Sequence, residues 1–378
     1  MYDAAQSPSD AEWLTRAEAL AQACAAEAAR HDDDDSFVAG NFDRLKREGF
    51  FKAHVPVEFG GGGLSYGGLC AVVRTLAAGC GSTGLAFSMH CHLIAVAVWR
   101  GKNEGAPTEG LLKRVAAEDL VLISSGGSDW LTSAGPAEKV EGGFRITARK
   151  VFASGSPGGD LLMTSAVYED PEAGPTVLHF GVPFKAEGVS LVDTWRVMGM
   201  RGTGSQDVVL EGVFVPDAGI AGRRPQGKWH PLFHAISLLA FPLIYCAYLG
   251  VAESARSKAL EVARRRPQDE ALFQLVGEME NAFHGAEAAH DGMVRLAETA
   301  KPGAENTSRA MIGRTLVGQG AIRTVEKALE VAGGGAFYRG MGLERAFRDV
   351  QAARFHPLQE KPQLRYTGRQ ALGLDIDG

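Results

Sequence analysis

Apolar residues recur along this chain in three textures. From about residue 9 to 120 they return every three to four positions: Ala11 to Arg30, Phe42 to Gly49 and Leu69 to Ala78 keep the helical period, and the first is rich in Ala, Leu and Glu. From about 120 to 217 short β-branched runs are broken by Gly, Pro and Asp, in Leu120 to Ser124, Gly143 to Ala153, Leu161 to Val167, Thr176 to Pro183, Val189 to Val192 and Gln206 to Val215. Turns this dense exclude a parallel sheet with crossover helices and predict an all-β insert of roughly six to eight strands. From about 231 long helical patterns return, Leu232 to Arg265, Glu270 to Ala300, Ser308 to Ala332 and Leu343 to Phe355, as in a bundle. The order predicts a mostly α, α+β protein. An N-terminal helical domain covers 1–118, a central β-barrel or sandwich domain 119–217, and a C-terminal helical bundle 218–378.

Composition narrows the class without naming a chemistry. With 45% hydrophobic and 22% charged residues and a net charge of -6, the chain reads as an ordinary globular protein. A mild negative charge argues against nucleic-acid binding, which needs clustered Lys and Arg. The one basic run, Arg264-Arg265-Arg266, stands before Pro267 and reads as a solvated helix end. Five cysteines without a CxxC pair suggest neither a disulfide framework nor a zinc ribbon. No basic leader and no run of about 18 apolar residues appears, so the expectation is a cytoplasmic protein. Asp32-Asp33-Asp34-Asp35 reads as a solvated turn rather than a metal site, because adjacent carboxylates point apart.

Candidate chemistry concentrates in few places. In Arg348 to Pro357, a helix would put Arg348, Ala352 and His356 on one face, and Pro357 should end it near His356. A helix C-terminus favours the imidazolium, so His356 is either an acid or base near neutral pH or a capping or core histidine. His90 and His92 diverge by about 200° on a helix and cannot share one metal, so no metal site is expected there. Pro56 to Ser65 is glycine-rich but lacks the Gly-Lys-Ser/Thr ending of a phosphate loop, and no Gly-x-Gly-x-x-Gly follows a strand, which argues against nicotinamide binding. Ser125 and Ser128 offer hydroxyls in a turn, and Trp130 an aromatic face. Phe233, Phe241, Tyr245 and Tyr248 have spacings that suit a pocket lining and, still better, ordinary core packing.

Several local motifs resemble the acyl-CoA dehydrogenase superfamily of flavoproteins, over roughly residues 10 to 372. They are Ser82 to His90, Met200-Arg201-Gly202-Thr203-Gly204-Ser205 with Val213-Phe214-Val215-Pro216, and Ala332 to Tyr338. The resemblance implies that family's fold, with its C-terminal four-helix bundle, a flavin site beside Ser125, Ser128 and Arg201, a structural role for His90, and a homotetramer. The departures are informative. The dehydrogenase base is a Glu nine residues after the Arg of an Arg-Asp pair, here Pro357, or ten before a bundle glycine, here Ala240, and no Asp or Glu occurs between Asp217 and Glu253. Without a carboxylate at either place, α,β-dehydrogenation loses its base.

The same superfamily has a branch of two-component flavin monooxygenases acting on phenols, aromatic sulfur compounds or amines. The chain is similar to it in the His eight residues after Arg348, which is His356, and in Phe152-Ala153-Ser154-Gly155. This implies an oxygenase component using reduced FMN from a separate flavin reductase and reacting through a C4a-hydroperoxide, with Phe152 and Ser154 at the flavin and His356, Ser154 and His92 in catalysis. An Arg-x-x-Phe-Gly segment that helps hold FAD pyrophosphate is replaced by Arg264 to Glu270, which points to FMN, with FAD the alternative. The competing readings are an acyl-CoA dehydrogenase with a displaced base and a non-catalytic scaffold of the same fold.

Overall fold

The computed structural model describes residues 9–377. The N-terminal domain comprises α1 (Asp10–Asp33), α2 (Ala39–Arg47), α3 (Tyr66–Gly79), α4 (Gly81–Glu104) and α5 (Glu109–Glu118). α1 begins at a reciprocal cap in which the Ser9 hydroxyl accepts the Glu12 amide and the Glu12 carboxylate accepts the Ser9 amide. Glycines set its helix crossings: a Cβ at Gly79 would come within 2.2 Å of the Ala21 carbonyl oxygen, and one at Gly84 within 2.4 Å of the Ala77 side chain.

The central domain is a sandwich of two four-stranded sheets. In the first, β1 (Leu122–Ser124) pairs parallel with β4 (Leu161–Asp170), which pairs antiparallel with β5 (Gly174–Pro183), and β5 with β8 (Ile220–Pro225). In the second, β2 (Ala137–Val140), β3 (Gly143–Ala153), β7 (Gln206–Pro216) and β6 (Val189–Val192) follow in antiparallel order. A helical turn, α6 (Gly126–Asp129), follows β1. Two strands carry no sequence signal. β2 is short and half charged, while β8, Ile-Ala-Gly-Arg-Arg-Pro, lacks apolar alternation and extends the sandwich past residue 217 to Pro225.

The bundle is built on α7 (Pro231–Ala263), which packs against α3, α4, α8 (Glu270–Thr299) and α9 (Ala304–Ala332), with α10 (Leu343–Val350) and α11 (Glu360–Ala371) closing it. α4 and α7 are long and apolar enough to cross a membrane, but both are mostly buried in this fold, as core helices are. Three domains meet at α10. Arg348 forms a paired contact with Asp32 at 2.8 and 2.5 Å and donates to the Met198 carbonyl, while the Met200 amide donates to Asp349. Asp32 is therefore a buried ion-pair partner at the end of α1, not part of a solvated turn.

The helical stretch before Pro357 also ends sooner than its pattern predicts. α10 stops at Val350 and a 3₁₀ segment, Gln351–Arg354, follows, so His356 lies beyond the helix rather than at its C-terminus.

Candidate active site

β3 pairs irregularly with β7 between Lys150 and Ala153, where the extra residue bends the strand. Phe152, inside that irregularity, has φ +41°, a left-handed conformation that non-glycine residues adopt at a cost and that clusters at functional sites. Its amide donates to Asp207, which Arg149 pairs at 2.7 Å. The Phe152 ring lies so close to α6 that a Cβ on Gly127 would come within 2.5 Å of it.

Ser154 follows as the end of a hydroxyl chain: its Oγ lies 2.8 Å from Ser205 Oγ, which lies 2.7 Å from Thr203 Oγ1. Thr203 gives its own hydrogen to the Met200 carbonyl, and with Ser205 donating to Ser154 the Ser154 hydrogen is left free to donate outward.

Beneath this wall sits a buried ion pair. Lys150 donates to Asp129 at 2.8 Å and to the carbonyls of Ala134 and Ser165, using all three of its hydrogens. Burial pushes the Lys150 ammonium below its ordinary range and Asp129 pulls it back. Among the described residues, Asp129 Oδ1 and the Trp130 indole N–H are buried without hydrogen-bond partners. Trp130 packs on Phe233 and Phe241 of α7, joining sandwich to bundle, with ring centroids 4.8 and 6.1 Å away. Arg224 of β8 fixes this stretch by donating to the carbonyls of Trp130 and Leu131, and its third contact is to His179.

The bundle supplies the imidazoles. The Tyr248 hydroxyl lies 2.5 Å from His356 Nε2. Burial, Arg314 and His92 push the His356 imidazole down to about 3, so it is neutral, contrary to the cation that a helix C-terminus would favour. A neutral ring that accepts from Tyr248 at Nε2 carries its hydrogen on Nδ1. His92 is likewise driven to about 4 by burial, and its Nδ1 lies 3.2 Å from the Ser88 carbonyl, which leaves Nε2 as an acceptor. The pair thus offers one N–H donor and one lone pair with no net charge. Among the described residues, the groups acting on His356 are Arg314 and His92, with no carboxylate beside them.

The loop bearing His356 is held from α9. Arg314, buried at 2% exposure, donates to the carbonyls of Ala353 and Leu358 and to the Tyr245 hydroxyl, which itself donates to the Ala353 carbonyl. Tyr245 and Tyr248 are fully buried, as their spacing suggests, yet each spends its hydroxyl on the segment around His356. Tyr248→Phe strands the His356 acceptor. It is expected to cost about 1–3 kcal/mol of stability and to lower turnover about tenfold per folded molecule. Denaturation and steady-state rates check this, and an unchanged rate would leave Tyr248 as packing alone.

The other expected residues fall elsewhere. Ser125 is buried, and its hydroxyl contacts Thr164 at 2.7 Å and Asp129. The Ser128 side chain lies outside the described residues. Arg201 donates to the carbonyls of Val197 and Asp32 and faces Asp35 at 3.6 Å. His90 is structural: Nε2 donates to the Phe51 carbonyl and Nδ1 accepts the Leu122 amide. The basic run is exposed at the end of α7, as a solvated helix end is; there Arg265 pairs with Glu261 and Arg266 donates to the Val331 carbonyl. Arg224, Arg314, Tyr248 and Thr203 gave no separate functional signal in the sequence.

Comparison with known proteins agrees with this architecture. Residues 10–109 match the acyl-CoA dehydrogenase N-terminal domain and residues 243–360 its C-terminal domain. YdbM of Bacillus subtilis (strain 168), assigned to the acyl-CoA dehydrogenases, is 27% identical over 93% of this chain and 94% of its own. A pigment production hydroxylase of Rhodococcus sp. (strain ATCC 21145) is 26% identical over 97% of both chains. The structure of KijD3 in complex with FMN and dTDP-3-amino-2,3,6-trideoxy-4-keto-3-methyl-D-glucose superposes with a TM-score of 0.89 at 26% identity, covering 99% of this chain and 96% of that one. From its N-terminal helices to its bundle, the chain belongs to the acyl-CoA dehydrogenase family.

Proposed function

We propose that this protein is the oxygenase component of a two-component flavin monooxygenase, using reduced FMN and O2 on a small aromatic or heteroatom-bearing substrate. The observation that carries this reading is the neutral His92 and His356 pair in a site where no carboxylate acts on His356. Abstraction of an α-proton needs a base with a well-matched pKa, and Ala240 and Pro357 provide none. The one nearby carboxylate raised toward neutrality by burial, Asp349 at about 6, is bound to the Met200 amide in the domain joint. The hydroxylase and the FMN complex among the relatives support the same branch.

The residues present fit a flavin. The orphaned Trp130 N–H and Asp129 Oδ1 are a donor and an acceptor of the kind a flavin ring edge satisfies, and Phe152 is held in a strained conformation beside them. Ser154 adds the free hydroxyl hydrogen. With Arg265 and Arg266 committed to protein partners, the shorter FMN is the better match, with FAD the alternative. Bound reduced flavin supplies activated oxygen for transfer to an electron-rich atom. His92 Nε2 takes a proton from a substrate O–H or N–H, His356 Nδ1 donates toward the departing or incoming oxygen, and Trp130 with Phe233 and Phe241 excludes water.

A flavin reductase as partner and a homotetramer belong to this reading. Exposed Phe337, Tyr338 and Leu372 support an assembly that covers them. The test supplies chemically reduced FMN and labelled O2 with a panel of phenols, aryl sulfides and amines. Label in the product and none from water supports the oxygenase. Bleaching of bound flavin by an acyl-CoA would favour the dehydrogenase, and failure to bind flavin the scaffold. Within the same assay Ser154→Ala is expected to lower product per reduced FMN about tenfold, the equivalent of about 1.4 kcal/mol.

A further inference from the structure

Away from the flavin wall, α3 of the N-terminal domain and two bundle helices bring together residues 176 and 44 positions apart in sequence. Cys70 of α3, Cys246 of α7 and His290 of α8 are all buried, and one donor atom from each lies within 4.8 Å of the other two. We propose that Cys70, Cys246 and His290 bind a single Zn(II) ion, with water in the fourth position. The reading does not depend on the flavin chemistry.

The donor set and its orientation carry this. His290 Nε2 lies 3.0 Å from the Pro242 carbonyl, which can only accept, so the hydrogen is on Nε2 and Nδ1 carries the lone pair available to a metal. Zinc-binding histidines characteristically fix their second nitrogen on a carbonyl in this way. Tetrahedral zinc, with bonds of about 2.3 Å to sulfur and 2.0–2.1 Å to nitrogen, needs donors roughly 3.3–3.8 Å apart. A contraction of at most about 1.5 Å therefore completes the set.

Charge selects the ion. Zn(II) displaces one proton from each thiol, and two thiolates with a neutral imidazole leave a site of zero net charge, which a core fully enclosed by helices tolerates. Cu(I) held by the same two thiolates would bury a negative charge. The ion would tie α3, α7 and α8 at one point, adding a coordinate link to the ion pairs that Arg74 of α3 makes with Glu253 of α7 and Glu287 of α8.

The test uses the full chain, thiol-reduced and chelator-treated. Zinc is titrated in weak buffer and proton release followed, then Co(II) is used as a spectroscopic probe. The expected results are one equivalent bound, about two protons released per ion, and a cobalt spectrum with intense sulfur-to-metal charge transfer and tetrahedral bands. The thermal midpoint should rise and saturate at one equivalent. Cys246→Ala and Cys70→Ala should each lose the charge-transfer band or weaken binding at least a hundredfold. If a variant does not fold, the wild-type proton count and band intensity decide alone. Weak octahedral cobalt bands, no proton release, or equal binding by wild type and either alanine variant would overturn the proposal.

Discussion

His356→Ala is expected to cut oxygenated product by about 10²-fold or more, within the range that positioned acid–base groups contribute, while flavin binding is retained. Reducing equivalents should then appear as hydrogen peroxide. The proposed cause is specific to one hydrogen: with Tyr248 donating to Nε2, the N–H left to act on the substrate is Nδ1. His356→Gln keeps a donor near that place without a base and should recover part of the coupling, which separates hydrogen bonding from proton transfer. The measurement is product and peroxide per reduced FMN consumed, alongside flavin affinity. Unchanged product yield in His356→Ala would remove this residue from the mechanism, even with the fold and cofactor site intact.

Acidification is the second large effect, and it acts on stability. Burial drives His90, His92 and His179 to about 4 and His356 to about 3, against 6.5 for a free imidazole. Below pH 6.5 the unfolded chain takes up protons that the folded chain refuses. The stabilisation is thus complete above 6.5 and drains away as pH falls toward 4. Asp349 works the other way, because burial lifts its carboxyl to about 6 from 3.8 and the folded chain then holds the extra proton between those values. These four imidazoles less Asp349 contribute a difference of about three protons near pH 5, a slope of about 4 kcal/mol per pH unit, and His31, His54, His230 and His234, also lowered by burial, act in the same direction. Denaturant titrations at pH 7.5, 6.5 and 5.5 measure it. A flat profile would mean that these imidazoles are hydrated in the folded protein.

The strands and long helices were legible because alternation and helical period report burial of one face, and β3 and β6 fall where their patterns place them. β8 was illegible for the opposite reason. Its inward residue is Arg224, a buried cation whose function is to hold two carbonyls and an imidazole, and a hydropathy pattern reads it as surface. His356 shows a different limit. Its presence and its neighbour Pro357 can be read from the chain, but its protonation cannot, because Arg314 and Tyr248 arrive from helices remote in sequence and enclosure costs the imidazolium its solvation. Asp32 was misjudged similarly: four aspartates in a row look solvated until Arg348, over three hundred residues later, selects one. Tyr248 was visible as an aromatic on a bundle helix, and packing alone gave no hint that its hydroxyl had a task.

Gly199 holds the last consequence. A Cβ there would lie 2.3 Å from the Arg348 backbone, so the loop leading to the Ser154 hydroxyl chain and the helix leading to His356 touch with no side chain between them. Domains joined so tightly cannot swing apart as a hinge. The two halves of the site then keep a fixed spacing through the catalytic cycle, and shielding of the reaction falls to a permanent wall rather than to a closing gate.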